Sequence, residues 1–325
     1  MNNKLLLLRN NIKKEEYINK INNFDISRNK FTLIDYNEPE IKDMAIIIVF
    51  FNFTKSIRII QNLLLIKNKL EMAKIPFYIG EIVFDNDNFL LNKADNIFQY
   101  RTNSYMFYKE NLINVIEEQI PFSYTKILAM DADLLFDNPD WYSIASQTLD
   151  NFTICQGFNI ATWLSLDFNI LQTKESIVIN KNHGHPGFIW GYNREWFKQY
   201  KLVDYTIIGG GDSILQFALF NLNFMLRFDY LENILTNYKN KIKDTFTISF
   251  IDINVYHLYH GNFSNRQYVD RHAIINTFIQ ENNLESIIDL VDINENKLYE
   301  WKPEYRDKLN LLLFTYFSIR DDDSL

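Results

Sequence analysis

Two carboxylates one residue apart, Asp131 and Asp133, follow directly on the apolar run Lys126-Ile-Leu-Ala-Met130. Such a pair at the carboxyl end of a strand can reach one divalent cation, directly or through water, and open α/β sheets bind ligands outside those strand ends. A second group, Gly209-Gly-Gly-Asp212, opens the helix-like stretch Ser213-Ile-Leu-Gln-Phe-Ala-Leu-Phe220. Three glycines permit positive φ and close approach to a ligand, and a helix N-terminus favours the charge of Asp212. A third, His257-Leu-Tyr-His260-Gly261, ends the strand-like Phe250–Tyr256. Along a strand the two imidazoles would face opposite ways, whereas at its end either can reach a metal. One imidazole with two carboxylates makes a mixed N/O ligand set, which shifts preference from Mg²⁺ towards Mn²⁺. The fourth group, His183-Gly-His185-Pro-Gly187-Phe-Ile-Trp190, combines glycine and aromatic residues as a loop and strand lining a sugar site would.

These residues need a scaffold, and the apolar patterning predicts one. Met44–Phe51 is a continuous β-branched and aromatic run, the mark of a strand buried on both faces. Apolar positions Ile57, Ile60, Leu64 and Met72 suit a helix over about 56–74, closed by Pro76, and Pro76–Phe84 reads as a second strand. Strand, helix and strand in this order form a βαβ unit and predict a mainly parallel α/β sheet. A helix over 104–119 and the strand 126–130 lead into the Asp pair, with 134–136 as a strand end and Asn138-Pro-Asp-Trp141 as a turn. Further strands are expected near 152–157, 187–192 and 250–256, and helices near 193–200, 212–222 and 270–280. Residues 1–43 read as an N-terminal extension, 44–265 as the catalytic domain and 266–325 as a helical tail packed on it. The tail's Asp321-Asp-Asp323 is expected to be a solvated acidic end.

Composition bounds the function. The 325 residues include only 9 Gly and 6 Pro, which excludes fibrous and linker-like classes, and 47% hydrophobic content supports a substantial core. Six of those nine glycines fall within 184–211, and all five His lie between 183 and 272. A net charge of −8 argues against nucleic-acid or anionic-membrane partners. The single Cys155 excludes an intrachain disulfide framework and reads as a core residue. With no run long enough for a membrane span or a signal peptide, a cytoplasmic location is expected.

Together the motifs resemble GT-A-fold glycosyltransferases, closest to the inverting family-2 enzymes and the β-1,4-galactosyltransferases. The resemblance rests on an ordered set: Phe50-Phe-Asn52, Glu81, Lys109-Glu-Asn-Leu-Ile-Asn114, Ile127–Phe136 with its D-x-D, Gly187–Gly191, Gly209-Gly-Gly-Asp212 and His257-x-x-His-Gly261. It departs from the galactosyltransferases in having Asp212 alone after the glycines and Tyr259 where Trp is expected. The resemblance implies a Rossmann-like central sheet flanked by helices, a nucleotide-sugar donor (a UDP-sugar), and a glycan, glycoprotein or small-molecule acceptor. It also implies an Mn²⁺ cofactor, with Mg²⁺ as the alternative, and places Asp212 as catalytic base. On the donor side it places Phe51, Asn52, Glu81, Lys109, Asn114, Asp131, Gly210, Gly211 and Arg271, with Arg266 a further phosphate candidate. Trp190, Gly187 and His185 fall on the acceptor side, and Asp131, Asp133, His260 and His257 around the metal. Three other readings compete, and of these a nucleotidyltransferase would need a Gly-rich phosphate loop after the first strand, where Phe50-Phe-Asn-Phe53 has no glycine. A haloacid-dehalogenase-like phosphatase also places D-x-D after a strand, but Leu134-Leu135 and Ser213–Gln216 lack its further signatures; a non-catalytic sugar- or nucleotide-binding protein would keep the fold alone.

Overall fold

The computed structural model describes residues 33–222, 226–262, 265 and 271–324. The expectations for residues 1–32 and Arg266 lie outside the described residues. Three elements open the fold: β1 (Met44–Phe51), α1 (Ile57–Met72) and β2 (Phe77–Phe84). Along β1, Ala45 and Ile47 enter one core cluster while Met44, Ile46 and Ile48 enter another, so the unbroken apolar run does serve two faces. Leu63, Ile66 and Leu70 of α1 fill the second cluster at helical spacing. β3 (Ile97–Thr102), α2 (Lys109–Glu117) and β4 (Lys126–Met130) extend the unit, followed by β5 (Leu134–Phe136), α3 (Trp141–Asn151) and β6 (Ile154–Gln156). The chain then forms β7 (Ile160–Leu164), β8 (Ile170–Glu175), β9 (Ile189–Asn193), α4 (Arg194–Tyr200) and α5 (Gly211–Leu219). It continues through α6 (Glu232–Ile242), β10 (Ile248–Phe250), β11 (Asn254–His257) and α7 (Arg271–Glu281).

The central sheet has seven strands in the order β10-β6-β9-β4-β1-β2-β3. Only β9 is antiparallel to its neighbours β4 and β6, so the sheet is mainly parallel, with helices packed on it. A second sheet, β5-β11-β7-β8, stands beside the carboxyl end of β4.

Several elements depart from the sequence expectation. Helix α2 starts at Lys109 rather than near 104, and the segment before it is tied to other parts of the chain. Ser104 donates to the Thr102 hydroxyl at 3.1 Å, Tyr105 to Asn310 at 2.8 Å and Phe107 to the Ile207 carbonyl at 2.8 Å. The expected turn at 138–141 is present, with the Trp141 N–H on the Asn138 carbonyl at 3.3 Å, and leads directly into α3, whereas β3, β7 and β8 are strands that local pattern did not predict. The 266–325 tail adds a hairpin, β12 (Val291–Ile293) with β13 (Tyr299–Trp301), before α8 (Pro303–Ile319). Helix α8 packs beside the central sheet through Phe317, whose ring lies 5.0 Å from Phe53 and 6.2 Å from Phe107. Cys155 is buried on β6, and burial pushes its thiol up to about 12, as expected of an inert core residue. Among the described residues no helix is long and apolar enough to cross a membrane.

Candidate active site

A cleft of about 580 Å³ opens at the carboxyl ends of β1 and β4 and draws residues from all four motifs. The Asp131-Ala-Asp133 loop joins the two sheets: Asp131 donates its N–H to Phe188 and the Asp133 carbonyl accepts from Leu258, each at 2.9 Å. β5 pairs antiparallel with β11, setting His257 opposite Leu134, the residue after Asp133. Strand β11 stops at His257, so the turn through Leu258 and Tyr259 returns His260 to the same side. Both imidazoles therefore converge on one carboxylate. Nε2 of His260 lies 3.0 Å and Nε2 of His257 3.5 Å from Oδ2 of Asp133, and the two nitrogens are 3.2 Å apart. The His257 ring is fixed by stacking on Phe188 at 4.9 Å.

Two imidazole nitrogens facing each other cannot satisfy one another when both carry lone pairs, yet both suit a common cation beside a carboxylate. This donor set fits a divalent first-row ion better than Mg²⁺, and among the described residues Asp133, His257 and His260 form the one such cluster.

Asp131, expected near the metal, is not among the three clustered residues. Lys109, at the start of α2, approaches Asp131 to 2.7 Å and the two oxygens of Asp212 to 3.1 and 3.2 Å. Lys109 is thus held between two carboxylates, where the resemblance implied a contact to donor phosphate. Burial alone would lower its pKa, but Asp131, Asp212 and Glu110 outweigh burial and keep the ammonium charged. Asp131 is pushed up to about 6, mainly by burial, with Lys109 opposing and Asp212 and Asp133 adding to the rise.

Asp212 sits in the first turn of α5. Gly210 caps that helix in the left-handed region, φ +99°, which an L side chain rarely adopts. At Gly211 a Cβ would lie 2.0 Å from the Glu110 carboxylate, so the helix start and α2 meet only because the side chain is absent. Gly187 makes the same kind of close approach to Asp212: a Cβ there would fall 2.9 Å from its Oδ2. Beside Gly209 and Gly210 lies the Arg271 guanidinium, which also lines the cleft.

Phe51 and Asn52 line the cleft as expected, although the Asn52 amide is committed to Ser56, donating to its carbonyl at 2.7 Å and accepting from its N–H at 2.9 Å. His185 and Gly187 also line it. Besides Gly211, three other sequence expectations fall outside the cleft. Glu81 is fully buried on β2 and accepts from Leu90, Leu91 and Gln99, which shapes the 85–91 loop. Asn114 clamps Leu202 and Asp204. Trp190 points into the core, with its indole N–H on the Pro186 carbonyl at 2.8 Å. In each case a polar or aromatic residue at a plausible position in the sequence is consumed by packing that only the tertiary structure defines.

Other residues of the site were not foreseen. Gln172 and Lys174 reach the cleft from the exposed edge strand β8, and Asp322 reaches it from the tail. Buried Glu110 accepts from the Thr206 hydroxyl at 2.8 Å and is pushed up to about 7, chiefly by burial, with Lys109 opposing and Asp212 adding to the rise. An acidic residue on the inner face of a helix, next to Lys109, was the available signal. Because its folded pKa lies above its ordinary 4.5, the stability Glu110 contributes is fully present below pH 4.5 and is lost as pH rises through 7. Glu110→Gln keeps the Thr206 hydrogen bond without that ionisation. Its stability relative to wild type is expected to rise between pH 5 and pH 8 by on the order of 3 kcal/mol, at about 1.36 kcal/mol per pH unit. Denaturant melts of both proteins across this range check it; parallel pH profiles would contradict it.

Neither a protein-family profile nor a curated protein matches the chain. The chain is similar in structure to several solved proteins. Drosophila β1,4-galactosyltransferase 7, as a mutant in complex with manganese, UDP-Gal and xylobiose, is 14% identical over 54% of this chain and 60% of that one, with a TM-score of 0.35. The chain thus spans under two thirds of that protein. The catalytic domain of the same enzyme with xylobiose is 10% identical over 84% of this chain and 99% of that one, at a TM-score of 0.41. Staphylococcus aureus TarS is 11% identical over 84% and 71%, at a TM-score of 0.41. These are distant likenesses.

Proposed function

We propose that the chain is a metal-dependent glycosyltransferase that moves a sugar from a nucleotide-sugar donor, a UDP-sugar, to an acceptor hydroxyl with inversion. One observation carries this reading: Asp133, His257 and His260 bring three ligand atoms within 3.0–3.5 Å of one another in the same cleft as Asp212. These three residues would hold Mn²⁺. When bound, the ion supplies positive charge for the departing diphosphate.

The chain's own residues account for the rest. Phe51 and Phe107, with rings 5.1 Å apart on the wall at the end of β1, offer an apolar surface for a nucleobase. Arg271, held beside Gly209 and Gly210, offers positive charge to phosphate. Asp212 accepts the proton of the acceptor hydroxyl as its oxygen attacks the anomeric carbon opposite the leaving group, and one displacement inverts that centre. Lys109, fixed in its charged form, keeps Asp212 and Asp131 in place without competing for the proton. Gly187 leaves the approach to Asp212 open. The same reading proposes residues 1–43 as an N-terminal extension, 44–265 as the catalytic domain and 266–325 as a tail packed on it, with the cytoplasm as the location.

Incubation with a panel of UDP-sugars and Mn²⁺, following UDP release, tests the proposal. Release is expected with at least one donor and is expected to stop when EDTA is added. Release unchanged by EDTA would show that the metal assignment is wrong.

A further inference from the structure

The acidic run Asp321-Asp-Asp323, expected to be solvated, is instead built into the site. Asp323 closes the N-terminus of α1: its carboxylate accepts from the Ser56 hydroxyl at 2.9 Å and from the N–H groups of Ile57 at 3.0 Å and Arg58 at 2.9 Å. An anion at this position is favoured by the unsatisfied amides and the helix dipole. The Arg58 guanidinium in turn holds the Ser324 carbonyl at 2.7 Å. On the other side the segment is pressed against Gly261, where φ is +90° and an added Cβ would lie 2.8 Å from the Asp321 carbonyl oxygen.

Between these two anchors lies Asp322, 7% exposed, whose Oδ1 is 3.2 Å from Nδ1 of His260 and 3.3 Å from Nη2 of Arg320. An Nδ1–H donated to this carboxylate leaves the lone pair on Nε2 of His260, the atom that faces Asp133 and His257. Carboxylates placed in this way fix the tautomer and ring orientation of a ligating histidine and raise its basicity.

We propose that the 320–324 segment is a positioning strap for the metal site: docking of Asp323 on α1 delivers Asp322 to His260 and sets that imidazole for ligation. The inference rests on the proposed metal reading and extends it from the three ligands to the element that orients one of them. Asp322 and Asp323 are positioning residues, since neither belongs to the converging ligand set.

The test titrates the full chain with Mn²⁺ alone, by calorimetry, and records nitrogen couplings of the bound ion by electron-spin-echo spectroscopy. Wild type is compared with Asp322→Ala, Asp322→Asn and Asp323→Ala. Wild type is expected to bind one Mn²⁺ through two imidazoles. Asp322→Ala is expected to weaken Mn²⁺ binding by about 10–100-fold and to weaken or remove one nitrogen coupling. Asp322→Asn keeps an oxygen for Nδ1–H and is expected to recover most of the affinity. Asp323→Ala, which touches no ligand, is expected to weaken binding in the same direction. Wild-type affinity and couplings in Asp322→Ala and Asp323→Ala would overturn the strap while leaving the metal site intact. No Mn²⁺ uptake by wild type would overturn the metal site and the strap with it.

Discussion

Asp212→Asn is expected to lower kcat for sugar transfer by about 10²–10⁴-fold, the usual value of a positioned general base, while Mn²⁺-dependent UDP binding stays within a few-fold of wild type. The substitution conserves volume and leaves Lys109 its shorter contact, to Asp131 at 2.7 Å. What it removes is the ability to accept a proton at the mouth left open by Gly187. A kcat within a few-fold of wild type would move the base elsewhere. A parallel loss of UDP binding would mean that the carboxylate serves the donor rather than the acceptor.

Asp133→Ala is expected to lower Mn²⁺ affinity by at least about 100-fold, beyond what loss of an orienting partner costs. Its Oδ2 faces both Nε2 atoms, at 3.0 and 3.5 Å, and its removal takes away the carboxylate that the two imidazoles, 3.2 Å apart, share. Asp131→Asn, by contrast, is expected to keep Mn²⁺ affinity within a few-fold, because Asp131 is committed to Lys109. Calorimetric titration with Mn²⁺ distinguishes the two halves of the D-x-D pair. Equal losses would return Asp131 to the ligand set, and no loss in Asp133→Ala would remove the cluster from consideration.

The contrast between Asp131 and Asp133 shows where the sequence is legible. β1, α1, β2 and β4 follow from local patterning, since a strand buried on two faces and a helix buried on one leave period signals in the chain. The D-x-D and H-x-x-H groups are visible for the same reason, as short motifs at strand ends. What joins them is the antiparallel pairing of β5 with β11, between residues more than a hundred positions apart, and local pattern carries no trace of it. The same limit explains Lys109, whose partners Asp131 and Asp212 come from two other elements, and Glu81, Asn114 and Trp190, whose side chains are taken up by packing. Asp321-Asp-Asp323 is the sharpest case. An acidic run is usually solvated, but here one carboxylate caps a helix and another meets a histidine, because α8 brings the run back across the start of α1.

The most direct measurement is a calorimetric titration of UDP into the wild-type chain, once with Mn²⁺ and once with EDTA. Saturable one-to-one binding in Mn²⁺ that is lost in EDTA, and lost again in Asp133→Ala with Mn²⁺ present, is the predicted result. Binding of equal strength with and without the metal, or none in either, would contradict a metal-dependent nucleotide-sugar site in this cleft.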